Sequence, residues 1–297
     1  MRVVVSGGTG LIGSALCASL AARGDDLTVL SRGAARAGVV HWDPERGDFD
    51  PGVVDGVDAV VNLAGTSIGE RRWSDEVKAS LRESRVRATS LLAEAIAAAD
   101  APPAVFVAGS AVGFYGDRGD DPLDESSAAG SGFLAGLVRE WEAATTPAAS
   151  VARVAIARTG VVLSASGGAL ARQLLPFRLG LGGRVGSGQQ WLPWISLRDQ
   201  VRALEFLLDS NLAGAVNLVA PEPVRQIEFA RTLAKVLHRP AFAPTPLVAL
   251  RALLGRELVE ELLLSSQRVL PARLAEAGFE FVDPTLMGAL HWELGRR

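Results

Sequence analysis

The first thirteen residues constrain this chain more than any other stretch. Met1-Arg-Val-Val-Val-Ser-Gly-Gly-Thr-Gly-Leu-Ile-Gly13 is a short apolar run that passes straight into a glycine-rich turn. The turn carries two overlapping spacings, Gly8-x-Gly10-x-x-Gly13 and Gly7-x-x-Gly10-x-x-Gly13, and a helical pattern with Leu16 and Leu20 follows it. Strand, turn and helix in this order open a nucleotide-binding α/β unit. The first glycines permit the tight turn, Gly10 lets backbone approach a pyrophosphate, and Gly13 lets the helix pack closely on the strand. The helix N-terminus then offers free N–H groups and a partial positive charge. Gly7, Thr9, Gly10, Leu11, Ile12 and Gly13 are therefore the expected pyrophosphate cradle. A βα turn that holds no ligand is the alternative, and the flanking strand and helix weigh against it.

Further apolar runs at 27–30, 39–40, 59–63, 105–108 and 151–157 are separated in several places by helical stretches, clearest at 75–99 and 133–144. Near-continuous apolar strands with helical crossovers predict a Rossmann-type, doubly wound parallel sheet covered on both faces. After Arg158 the rhythm changes to Gly- and Ser-rich stretches, a short helical segment at 170–177, and then helical patterns at 198–208, 227–237, 247–254 and 257–264. The expected organisation is a nucleotide-binding core over 1–163, to which later segments return. A smaller, mostly helical substrate-binding portion spans 164–297 and ends in a terminal segment over 243–297.

Composition narrows the partners. Of the 297 residues, 48% are hydrophobic and 21% charged, ordinary values for a soluble globular protein with a large core. A net charge of −3 argues against nucleic acid or a membrane surface as partner. No apolar run approaches the roughly 20 residues that span a bilayer, and the N-terminus lacks the layout of a signal peptide. The single cysteine, Cys17, excludes an internal disulfide and fits a reducing, cytoplasmic compartment, with burial beside Leu16 and Leu20 its expected role. Three scattered histidines and one cysteine provide no metal-ligand spacing.

In such a fold, the residue at the end of the second strand reads the adenosine ribose. An acidic residue there bonds the 2′-OH, whereas a basic one accepts a 2′-phosphate. Here the strand Leu27-Thr-Val-Leu30 is followed by Ser31-Arg32, while Asp25 and Asp26 precede it at the wrong end of the sheet. The planar fork of Arg32, with the Ser31 hydroxyl beside it, predicts NADP(H) rather than NAD(H). His41-Trp42-Asp43 closes the third strand; Trp42 or Asp43 flanks an adenine there, or merely ends the strand.

Several segments together resemble the extended short-chain dehydrogenase/reductases, the superfamily of nucleotide-sugar epimerases and dehydratases. They are the glycine turn, Asp58-Ala-Val-Val-Asn-Leu-Ala-Gly65, Ala108-Gly-Ser-Ala-Val-Gly-Phe-Tyr-Gly-Asp117 and Arg158-Thr-Gly-Val-Val-Leu163. Pro176–Gly183, Trp194–Asp199, Asn217–Pro223 and Gln267–Leu274 extend the likeness over the whole chain. The wording is similar to an atypical "epimerase family" subgroup that ends in a domain of uncharacterised role. The resemblance implies NADP contacts at Ser31, Arg32, Leu63, Ala64, Arg85, Ser110 and Val162. For Arg85, a phosphate contact and a plain helix-surface charge stand equally open.

Typical members of that superfamily move a proton with a Tyr-x-x-x-Lys pair and a Ser or Thr. This chain has one tyrosine, Tyr115, and two lysines, Lys78 and Lys235; no lysine stands four residues after Tyr115. At the motif's position the chain reads Phe133-Leu-Ala-Gly-Leu137, which holds neither phenol nor ammonium. Ser110 and Tyr115 are left as the catalytic candidates, with Ser110 also readable as a strand-end cap. Two functional readings follow. One is an NADP(H)-dependent oxidoreductase or epimerase-like enzyme acting on a small polar substrate. The other is a non-catalytic NADP(H) sensor that works through a protein partner. A monomer or a homodimer is expected, since the helices at 75–99 and 133–144 either form a dimer face or turn their apolar stripes inward.

Overall fold

A computed structural model of the chain describes residues 1–241 and 244–295; Ala243, where the terminal segment is expected to begin, lies outside the described residues. The main sheet has seven strands, here β1 (Arg2–Ser6), β2 (Asp26–Ser31), β3 (Val39–His41), β4 (Ala59–Asn62), β5 (Val105–Ala111), β6 (Arg153–Thr159) and β7 (Gly214–Leu218). All pairings are parallel and the order across the sheet is β7-β6-β5-β4-β1-β2-β3. The order reverses at β1, which lies between β2 and β4, so the crevice beyond its carboxyl end is where a ligand of such a sheet binds.

Alternation along each strand decides which helices cover which face. Val3, Val5, Val61 and Val107 turn toward α1 (Leu11–Arg23), whose Leu16 and Leu20 are fully buried, and toward Leu204 and Leu207 of α5 (Leu197–Asp209). Val4, Val60 and Phe106 turn the other way, onto Ala88, Leu92 and Ile96 of α2 (Asp75–Ala98). Each of these large aliphatic side chains contributes about 1.5–3 kcal/mol on burial. β6 begins two residues later than the apolar run at 151–157 suggests. The apolar residues of α3 (Phe133–Ala143) and α2 that the pattern marks are buried within the chain itself.

After β6 the chain leaves the sheet, forms α4 (Gly168–Arg178), and comes back through α5 and β7. A second core gathers Leu170, Leu174 and Phe177 of α4, Trp194, the buried face of α6 (Gln226–Leu237), and Leu286 and Leu290 of the last helix. α7 (Leu247–Leu254) follows, and none of its residues is buried. The pattern at 257–264 does not continue as one α-helix: three residues, Arg256–Leu258, are α-helical and Val259–Leu264 form a π-helical turn. Among the described residues no helix is long and apolar enough to cross a membrane, and no group of three His, Cys, Asp or Glu could hold a metal ion.

Candidate functional site

The glycine turn is held by backbone packing. Gly7 has φ +72°, and a Cβ on it would stand 2.5 Å from the Leu63 carbonyl, so the β1 turn and the end of β4 touch directly. A Cβ on Gly13 would fall 2.2 Å from the Gly7 oxygen, which leaves no room for any side chain there. Gly10 differs: it faces only the Gly7 oxygen, at 3.4 Å. It also starts α1 with no side-chain cap and no acidic residue in the first turn. α2 and α5, by contrast, start with Ser74 and Ser196 accepting backbone N–H bonds and with acidic residues in their first turns. The first N–H groups of α1 are therefore open to an external acceptor.

The end of β4 is locked from below. The buried Asn62 accepts a 2.5 Å bond from the Ser6 hydroxyl and a 3.1 Å bond from the Ala64 N–H, and donates to Thr89 at 2.8 Å. Thr89 in turn accepts from the Trp141 indole at 2.9 Å. One amide thus ties β1, β4, α2 and α3 together and fixes Leu63 and Ala64 at the crevice. Leu11 packs against Gly167 and Gly168, and Gly168 approaches the carbonyl of Val162, so these expected contacts share one wall.

Two guanidinium groups stand at this edge without a carboxylate. Arg32, just past β2, is exposed and has no partner among the described residues, while Ser31 Oγ accepts the Gly33 N–H at 3.2 Å. Arg85 is half-buried against Gly65. It donates to the carbonyls of Leu81 (3.1 Å) and Thr66 (2.8 Å) and lies 5.3 Å from the Trp141 ring centroid. Burial without a counter-ion pushes its pKa down to about 10. It stays charged at neutral pH, and a nearby anion would lower the cost of that charge.

Ser110 and Tyr115 meet in one buried network. The Ser110 hydroxyl donates to Glu142 at 2.6 Å, and Arg158 holds both oxygens of that carboxylate at 2.8 Å. Arg158 also donates to the Tyr115 hydroxyl at 3.1 Å, which donates to Asn217 at 2.8 Å. Burial opposes the charge on Arg158, but Glu142 beside it more than compensates and holds its pKa above the usual range. Burial pushes the Tyr115 phenol up as well, with Arg158 opposing. Tyr115 is 0% exposed, and its proton and a lone pair are both engaged inside the protein. In this conformation it links Arg158 to Asn217 across the core. Of the two roles open to Trp42, the strand-end one agrees with its place: it is buried in the core, edge-on to Phe49 at 5.7 Å.

Two cavities adjoin this region. One of about 220 Å³ lies between Gly113, Ser131 and Leu134 on the core side and Glu261 on the other. The second, about 430 Å³, lies among Asp120, Gln190 and Arg225. Asp117 and Leu264 border both.

Residues 3–219 match the model of the NAD dependent epimerase/dehydratase family. The chain belongs to that family. Residues 245–293 match a second model, described only as a domain of unknown function. An epimerase family protein of Mycobacterium tuberculosis is 48% identical over 297 residues, which cover 99% of this chain and 98% of that protein. The human epimerase family protein SDR39U1 is 40% identical over 294 residues, covering 98% of each. A crystal structure of human SDR39U1 with NADPH superposes with a TM-score of 0.93 over all of both chains at 39% identity. MoeE5, solved with UDP-glucuronic acid and NAD, has a TM-score of 0.77 over 99% of both chains at 19% identity and shares the fold alone.

Within this epimerase/dehydratase fold, the sequence singled out the glycine turn, Ser31–Arg32, Leu63–Ala64 and Arg85, all at the carboxyl edge of the sheet or against it. Glu142, Asn217 and Glu261 escaped it as site-shaping groups. Their partners lie 16 to 128 residues away, so no local pattern marks them.

Proposed function

We propose that the chain binds NADP(H) across the carboxyl edge of its sheet and works as an oxidoreductase or epimerase-like protein on a small polar substrate. The observation that carries this reading is the pair of guanidinium groups, Arg32 and Arg85, that stand at this edge without a carboxylate. The uncapped start of α1 supports it, and so does NADPH in the crystal structure of the human relative. The residues present fit the cofactor. The N–H groups of Leu11, Ile12 and Gly13 would take the pyrophosphate, with Gly7, Thr9 and Gly10 shaping the turn. Ser31 and Arg32 would take the 2′-phosphate, and Arg85 another anionic oxygen. Leu63, Ala64 and Val162 would line the crevice, and Ser110 would sit near its inner end. Bound nicotinamide supplies hydride transfer. The chain would contribute orientation, while the two candidate hydroxyls are engaged in this conformation: the proton of Ser110 rests on Glu142 and that of Tyr115 on Asn217.

That closed network favours a second reading, a non-catalytic NADP(H)-binding module. Calorimetric titration with NADPH and NADH at one ionic strength tests the shared premise, and equal affinity for the two would refute it. A carbonyl-substrate panel followed at the nicotinamide absorbance separates the readings. Turnover supports the enzyme, and tight retention of NADPH without turnover supports the binding module.

A further inference from the structure

The helix α3 begins at Gly132 with no capping side chain of its own. Its first N–H groups are nevertheless satisfied: Phe133 N–H donates to one oxygen of Glu261 and Leu134 N–H to the other, both at 2.8 Å. Glu261 lies in the π-helical turn of the C-terminal segment, 128 residues further along the chain than Phe133. Gly132 is what admits it, since a Cβ there would stand 2.9 Å from the carboxylate and φ is +101°. Leu258, just before that turn, packs with Trp73, Leu81, Leu134 and Leu137, and Leu254 and Phe133 border the same cluster. Phe133 and Leu137 are the two positions where the superfamily's proton-transfer pair would stand, and in this chain they receive the C-terminal segment.

The Glu257 carboxylate also accepts from Lys78 at 2.9 and 3.1 Å and the Leu263 carbonyl from Gln190 at 3.0 Å, so only the first helix of the segment is held lightly. α7 buries none of its residues, and Val248 and Leu253 are 80% and 74% exposed. It joins the inner turn through Gly255, at φ +89°, a backbone state suited to a hinge. The same segment walls both cavities, through Leu247, Glu260, Glu261 and Leu264. We propose that residues 247–264 are a lid over the two adjoining cavities, docked on the Phe133–Leu137 face of α3 and latched by the two bonds that Glu261 accepts, with the Lys78–Glu257 ion pair beside them. Opening breaks the latch, lifts Leu258 from its cluster and widens access to the cavity beside Ser131 and Leu134. The proposal does not depend on which cofactor the crevice holds.

Hydrogen exchange on the full chain, read by peptide mass, tests it. In the wild type, amides of 247–264 are expected to exchange at least about a hundredfold faster than those of β1 and β5, as for a locally opening unit. Glu261→Gln keeps the shape but turns an NH₂ toward an N–H. It should speed exchange over 247–264, and tryptic cleavage after Arg251 and Arg256, about tenfold while the sheet stays unchanged. Three results would overturn the lid: wild-type protection of 247–264 equal to that of the sheet, rates within twofold in the variant, or equal acceleration of segment and sheet. The wild-type comparison decides the matter even if the variant does not fold.

Discussion

Replacing Tyr115 by phenylalanine removes one oxygen and leaves two buried polar groups short of a partner. The Asn217 carbonyl loses a donor at 2.8 Å and the Arg158 guanidinium loses an acceptor at 3.1 Å. Both keep other bonds, Asn217 to the Leu270 carbonyl and Arg158 to Glu142. The cost is therefore that of partial desatisfaction, about 1–3 kcal/mol rather than the loss of a whole buried ion pair. At about 2 °C per kcal/mol for a chain of this length, Tm should fall by about 2–6 °C. The wild type offers a second readout, because Tyr115 is the only tyrosine. Its phenol is held above the ordinary value near 10 chiefly by burial. For an acid whose folded-state pKa is raised, the stabilisation is complete below the unfolded pKa and is lost as pH rises through the folded one. Phenolate absorbance at 295 nm should thus appear at a higher pH than for an exposed tyrosine, or together with alkaline unfolding. Stability unchanged in Tyr115→Phe within about 0.5 kcal/mol, or phenolate forming at its ordinary pKa in the intact fold, would show that Tyr115 is not the buried strut described here.

The glycine turn separates fold from ligand. Gly13→Ala should disrupt packing and lower Tm by several degrees, because its Cβ would overlap the Gly7 carbonyl at 2.2 Å; Gly10→Ala should fold normally but lose NADPH binding in calorimetry. Arg32→Ala should weaken NADPH by about 1.5–3 kcal/mol, roughly 10- to 150-fold, and leave NADH nearly unchanged, the sign of a lost charge-assisted phosphate contact. Arg85→Met should cost little stability in urea denaturation, since the guanidinium has no carboxylate to abandon, while NADPH affinity falls; a large stability loss would argue for a purely structural arginine. Leu137→Lys places an ammonium where the side chain is 1% exposed, and should destabilise by about 3 kcal/mol or more without conferring turnover, even combined with Phe133→Tyr.

What the sequence made legible was local. The β1–turn–α1 unit could be read because its strand, glycine spacing and helix follow one another without a break, although it is Leu63 and Val29 that crowd Gly7 and Gly8. The parallel sheet could be read because strands buried on both faces carry few polar residues. Tertiary packing decides what the sequence left open or could not mark. Trp42 looked available at a strand end, yet Phe49 and the α2 side of the core enclose it. Residues 257–264 have helical periodicity, but Glu261 must reach the start of α3, and the backbone there winds as a π turn. Glu142 carries no local signal of a role; only the fold brings Arg158 and Ser110 to it.

The absent Tyr/Lys pair takes on a different meaning once its surroundings are seen. An active site that had simply decayed would leave open space or stray polar groups at those two positions. Here Phe133 stacks edge-on to Trp73 at 5.1 Å, Leu137 closes an apolar cluster with Leu258, and Gly132 makes room for Glu261. Three neighbouring positions on α3 thus serve one purpose, the seating of the C-terminal segment. Leu137 is 1% exposed, so a lysine there would lose its hydration against the docked segment. The hydroxyl protons of Ser110 and Tyr115 rest on Glu142 and Asn217. With both hydroxyls engaged in this conformation, a proton to accompany hydride at this crevice would require one of these bonds to break, or water or the substrate to serve as its source.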